Sequence, residues 1–216
     1  MKNFIYTLST MAIMFLAIGT QAQDSAKILN ELSAKAKKYT TVYAEYSSRL
    51  IDKKNNIDLK QEGKVYIQGE KYNLELGEYN LITDGETHWT YEKATNDCYI
   101  DYLEDMEGEA FSPSDMFTIW EKDFRHELRE TVTEGGKEFF LIYLFPLKPS
   151  EKAFHTIQLY VDKSKMEISK FIVKGREGND IIYTLKSFKP NATLPANIFK
   201  FSQSAHPGSK MIDNRI

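Results

Sequence analysis

From Thr41 onward the chain alternates apolar and polar side chains residue by residue, and this period-two pattern limits the fold more than any other feature. Successive side chains of a strand point to opposite faces, so such a segment can bury one face and leave the other wet. Val42, Ala44 and Tyr46 alternate with Tyr43, Glu45 and Ser47. A polar turn follows at 52–56, then strand-like runs at 63–67 and 71–76. The strongest turn signal is Asp84-Gly85 between two apolar runs, because glycine takes the positive φ that a tight hairpin demands. Beyond it Trp89 and Tyr91 lie two residues apart and so share a face. Further strands are expected at 97–103, 139–145, 156–161, 168–174 and 181–188, with a hairpin across 134–137 and a bend at 194–201 leading into a last short strand. Short strands and tight turns in succession predict an antiparallel sheet curling toward a barrel.

Two segments break the pattern. Over residues 25–39, Ile28, Leu29, Leu32, Ala36 and Tyr39 recur at helical spacing, with Lys27, Glu31, Lys35, Lys37 and Lys38 on the other faces. Asp24 or Ser25 is the expected N-cap. An amphipathic helix ahead of a long β region has only the sheet to bury its stripe against. The second break begins at Ser112-Pro113, an N-cap followed by proline at the first helical position, and carries Met116, Phe117, Ile119, Trp120 and Phe124.

The N-terminus reads as a secretory signal: Lys2, the apolar stretch 11–18, then Thr20-Gln21-Ala22 as the cleavage region. This divides the chain into a signal peptide, 1–22, and one domain, 23–216, exported and cleaved near Ala22. No cysteine stands at the cleavage point to be lipidated, and the single Cys98 rules out an internal disulfide. The chain has 28 basic and 31 acidic residues; without Lys2, 27 basic residues remain and the net charge is −4. That balance argues against nucleic acid or an anionic membrane surface as the main partner.

Catalysis has no constellation to stand on. His88, His126, His155 and His206 are scattered without metal-ligand spacing, and no nucleophile elbow or phosphate-binding glycine loop occurs. Cys98 sits in Asn96-Asp97-Cys98-Tyr99, with no basic neighbour to activate a thiol. The acidic residues Asp101, Glu104, Asp105, Glu107 and Glu109 lack the alternation of a calcium loop. No catalytic residue, metal ligand or cofactor is assigned.

Several anchors, in order along the chain, resemble LolA-type lipoprotein carriers. They are 42–46, the glycine-led strand 63–67, the hairpin 81–91 with its Asp84-Gly85 turn, Ser112-Pro113 with the apolar segment behind it, and 194–201 followed by His206-Pro207-Gly208. The resemblance implies an incomplete antiparallel β-barrel, a half-barrel covered by an N-terminal helix and an inserted lid helix, mainly β with an α lid. It implies a cavity between sheet and lid, for which the candidates are Val42, Ala44, Tyr46, Tyr72, Leu74, Trp89, Tyr91, Met116, Phe117, Ile119 and Trp120. It also implies a monomeric periplasmic chaperone that takes acylated lipoproteins from an inner-membrane ABC transporter to an outer-membrane acceptor. A carrier of another lipid or hydrophobic metabolite fits the same resemblance. A filled half-barrel serving as an envelope interaction protein is the reading from a different class. One departure stands out: where many members carry Arg-Pro after the second strand, the Arg bonding to the lid, this chain has Gly69-Glu70. The resemblance therefore leaves open what holds the lid.

Overall fold

The computed structural model describes residues 24–106, 113 and 115–215. Its period-two segments form one sheet of twelve strands: β1 (Val42–Asp52), β2 (Ile57–Gln68), β3 (Lys71–Leu76), β4 (Tyr79–Thr83), β5 (Thr87–Glu92), β6 (Asp97–Tyr102), β7 (Phe124–Glu134), β8 (Lys137–Pro146), β9 (Phe154–Asp162), β10 (Glu167–Gly175), β11 (Asn179–Pro190) and β12 (Lys210–Asp213). The order is β12-β6-β5-β4-β3-β2-β1-β11-β10-β9-β8-β7. Consecutive strands meander outward in both directions from the β1–β11 pair, and β7 does not pair with β6 or β12. The expected incomplete barrel is therefore what forms, a sheet left open along one side.

The Asp84 turn shows how local chemistry sets the register. Gly85 adopts φ 98°, and the Asp84 carboxylate accepts from the backbone N–H groups of Glu86 and Thr87 at 3.2 and 3.1 Å. The connection is thus a three-residue aspartate-capped turn between Thr83 and Thr87, wider than a two-residue hairpin.

Helix α1 occupies residues 24–36 and buries Ser25, Ile28, Leu29, Leu32 and Ser33, one stripe at three- and four-residue spacing. It lies on the concave face of β7–β10, where Ile142, Leu144, Ile157, Leu159 and Val161 close the main core beneath it. A second cluster of Val42, Ala44, Val65, Ile67 and Tyr72 covers the same face of β1–β3.

Two expectations are corrected. The apolar segment after Pro113 is not an α-helix where it is described: residues 115–121 form two single 3-10 turns, Asp115–Phe117 and Ile119–Glu121. Thr118 separates them with φ −142°, outside helical backbone, and its side chain gives no cap bond. The expected N-cap Ser112 and the leader 1–22 lie outside the described residues. Second, the bend at 194–201 does not lead directly into the last strand, which comes only at β12. β12 runs parallel to β6, Lys210 opposite Asp97. A parallel neighbour needs a long crossover, and residues 191–209 supply it by crossing the convex face. There Asn73 Nδ2 donates to Ile198 O at 2.7 Å, and Phe201 and His206 pack at a tilt on Tyr91 with ring centres at 5.2 and 4.3 Å.

Candidate functional site: an apolar trough under a tied lid

Register decides which side chains share the concave face, because residues directly opposite in a ladder point the same way. Val42 stands opposite Ile67, Ala44 opposite Val65, and Tyr46 opposite Gly63. The row continues through Tyr72 and Leu74 of β3 to Thr83 and Leu81 of β4. On the other side of β1 it runs through Leu185, Tyr183 and Ile181 of β11 to Phe171 and Val173 of β10. Five sheet candidates from the sequence, Val42, Ala44, Tyr46, Tyr72 and Leu74, thus come together on one surface.

Trp89 and Tyr91 do not join them. Trp89 pairs with Ile82 and Ile100, and Tyr91 with Asn80 and Cys98. All of these point to the convex face, where Tyr91 is covered by the C-terminal crossover. Their partners on β5 that do face inward are His88 and Thr90. His88 is buried, which pushes its pKa down, opposed by the charge of Asp101 on the neighbouring strand.

Between the two cores lies a stretch that both border and neither fully covers: Phe171 and Val173 pack against the first, Leu185 against the second. Every residue of β10 is half-buried, and so are Ile181, Tyr183 and Leu185 of β11 and Leu50 of β1. Phe171 and Tyr183 stack face to face at 4.7 Å, and Tyr46 stands 6.2 Å from Tyr183. Phe171 and Val173 of β10, with Ile181, Tyr183 and Leu185 of β11 and Leu50 of β1, form an apolar trough along the concave face. Sequence reasoning recognised the strands but did not single out Phe171, Tyr183 or Leu185 as lining. The signal available was the run of β-branched and aromatic residues on both faces of β10 and β11, which says that a strand is apolar and not which side stays open.

The described lid residues close one end of this face. Phe117 packs on Phe188 at 5.5 Å, and Phe188 meets Tyr39 at 5.7 Å. Ile119 packs on the core under α1, Trp120 is 5% exposed within it, and Met116 is half-buried. Leu32, Tyr39, Phe117, Trp120, Glu167, Ile168 and Phe188 help line a hollow of only ≈ 20 Å³, room for about one water molecule. Ligand pockets run to about 300 Å³ or more, so this end is shut.

Residues 37–202 match the family described as outer membrane lipoprotein carrier protein LolA. The chain belongs to the LolA family. Among solved structures, an uncharacterised conserved protein from Thermus thermophilus is similar in fold, with a TM-score of 0.57 at 12% identity over 88% of this chain and 99% of that one. LprF from Mycobacterium bovis aligns at 0.49 and 9% identity over 80% and 96%. A LolA superfamily protein from Nitrosomonas europaea aligns at 0.43 and 11% over 82% and 97%. No curated protein matches the sequence. The family is one of carriers rather than enzymes.

In this LolA-family chain Gly69 makes the β2–β3 turn with φ 59°, so the place of the missing arginine is spent on a tight reversal. Other polar groups tie the lid. The Trp120 indole Nε1–H lies 2.9 Å from Ser33 Oγ and 3.2 Å from Leu29 O, both on α1. Glu121 pairs with Lys37 at 2.7 Å, and hydrogen bonds from Lys37 and Ser33 hold its carboxyl below the usual range. α1 is fixed to the sheet in turn by Lys35, which meets Glu167 Oε1 and Lys165 O at 2.8 Å each, and by Ser25 and His126 at 3.0 Å.

Proposed function

We propose that this protein is a periplasmic carrier that shields acyl chains and hands acylated lipoproteins from an inner-membrane ABC transporter to an outer-membrane acceptor. The observation that carries the reading is the trough. A protein using its half-barrel only as a scaffold would bury Phe171, Val173, Ile181, Tyr183 and Leu185 fully, whereas here all five are only half-buried on a concave apolar surface.

The magnitudes suit loading and release. Freeing a tryptophan the size of Trp120 exposes roughly 150–250 Å², a loss of about 4–6 kcal/mol at ~25 cal/mol per Å². An acyl chain regains about 0.8 kcal/mol per buried methylene, so ten methylenes return about 8 kcal/mol. Cargo can therefore displace the lid, yet the net preference is only a few kcal/mol, and a better acceptor can strip the cargo off.

Displacement of an apolar dye by acylated peptide tests this. Phe117→Glu and Trp120→Glu are expected to weaken retention by about tenfold or more while circular dichroism reports an intact sheet, since a charge beneath the lid has no partner there. Retention unchanged in both variants removes the lid from the account. A dye-silent wild-type protein favours the filled half-barrel.

A further inference from the structure

The β10–β11 ladder stops short. Its pairs run from Lys174–Asp180 to Lys170–Thr184, while β10 goes on pairing with β9 down to Glu167 and β11 goes on pairing with β1 out to Pro190. A register shift between Ile168 and Lys170 turns the first residues of β10 away. The sheet is therefore split between 167–169 and 185–188, and the split holds a cleft of ≈ 160 Å³.

The cleft is two-natured. Lys137, Lys165, Lys186, Ser169 and Ser187 line it together with Ile168, Leu185 and Phe188. Glu167, Ile168 and Phe188 also line the small cavity beneath Trp120 and Phe117, so polar rim and apolar interior share a wall. Of the rim charges, Glu167 is neutralised by Lys35, and Lys186 pairs with Glu62. The Asp162 carboxylate is occupied by the turn, accepting from Ser164 N, Ser164 Oγ and Lys165 N. Among the described residues neither the Lys137 nor the Lys165 ammonium has a carboxylate within ion-pair distance, though Asp162, its pKa lowered first by the Ser164 hydrogen bond, also feels the charge of Lys137, which helps to lower it. Two ammonium groups outside any ion pair at the rim and an apolar throat behind them together match one shape of ligand.

We propose that this split is a mouth through the sheet, taking a single-chain amphiphile whose anionic head group rests on Lys137 and Lys165 while its chain passes Ile168 and Phe188 onto the concave face. The proposal rests on the carrier reading and adds to its acylated lipoproteins a second class of cargo, single-chain lipids with a carboxylate or phosphate at the head. The Lys35–Glu167 pair sits where rim meets interior, so it is the contact a chain must pass.

The test uses the mature protein with palmitic acid, its methyl ester and a lysophosphatidic acid of the same chain, each competing with an apolar dye. The double variant Lys137→Glu/Lys165→Glu is expected to weaken the acid by about tenfold and to leave the ester unchanged, because only the charged head loses its partners. Equal weakening of the lysophosphatidic acid extends the site to phosphate heads; its sparing restricts the site to carboxylates. A fatty acid with a diazirine beside the carboxylate should label peptides spanning 165–169 or 185–188, and one with the diazirine at its tail should label peptides holding Leu32, Trp120 or Phe171. Labelling by the head probe confined to β4–β6, or a double variant that treats acid and ester alike, overturns the mouth while leaving the carrier reading in place. Failure of the acid, the ester and acylated peptide alike to displace dye removes the carrier reading itself.

Discussion

At the scale of single residues, Gly63 and Tyr46 set how deep the concave face can be. The Tyr46 ring lies over Gly63, and its hydroxyl donates to Glu75 O across β2. A Cβ at position 63 would stand 2.7 Å from Tyr46 Cζ, inside any real contact, with the Glu75 carbonyl closer still. Gly63→Ala should therefore lower stability by about 1–3 kcal/mol as the ring is forced off its site. For a domain of this size that is about 2–4 °C in Tm per kcal/mol, read by thermal unfolding. His88 gives a second prediction. Its folded pKa is depressed by burial, so as pH falls below its ordinary value of 6.5 the unfolded chain takes up a proton that the folded chain refuses. Stability is thus lost on acidification through that range, and His88→Gln should flatten this part of the curve in chemical unfolding measured at several pH values. The glycine at 63 was visible in the sequence as the head of a strand. The reason for it was not, since that depends on a tyrosine seventeen residues earlier meeting a carbonyl twelve residues later.

At the scale of elements, the lid ties make the clearest claim. Glu121 has a folded pKa below its ordinary value of 4.5, owing first to Lys37 and then to Ser33, so the tie is complete at neutral pH and is lost as pH falls through the folded value. Dye uptake should accordingly rise on acidification from about that carboxylate range downward. Glu121→Gln should take up dye at neutral pH nearly as the acidified wild type does, with its own acid step much reduced. Trp120→Phe keeps most of the packing but removes the indole donor, at a cost of about 1–2 kcal/mol, and should speed dye entry measured by stopped flow. Helix α1 was legible because its stripe is strict, and the strands because their alternation is. The lid was misread as a helix because its apolar residues at 116, 117, 119, 120 and 124 mimic helical spacing. What organises them is tertiary contact, Phe117 on Phe188 and Trp120 on α1. The misplacement of Trp89 and Tyr91 has a similar origin. Alternation shows that two residues share a face, and only the ladder from β1 to β5 shows which face it is.

At the scale of the whole molecule, the sheet is continuous in order yet unevenly filled. One core lies beneath α1 at the β7 end and one over β1–β3 in the middle of the sheet, and the trough along β10 and β11 where they meet is left half-covered. A half-barrel left open in this way can take an apolar chain without unfolding its core, because the element that must move is α1 with its lid and not the ladder beneath them. The incomplete barrel could be inferred from the order of short strands and the anchors shared with the LolA family. The trough could not, since it arises from a difference in covering between strands of similar composition. Native mass spectrometry of the protein, purified without detergent from the cells that make it, tests the central claim most directly. The account predicts adducts that dissociate as acylated lipoproteins or as single lipids, diminished in Phe117→Glu. A bare polypeptide mass that persists after incubation with acylated peptides and long-chain fatty acids would contradict it.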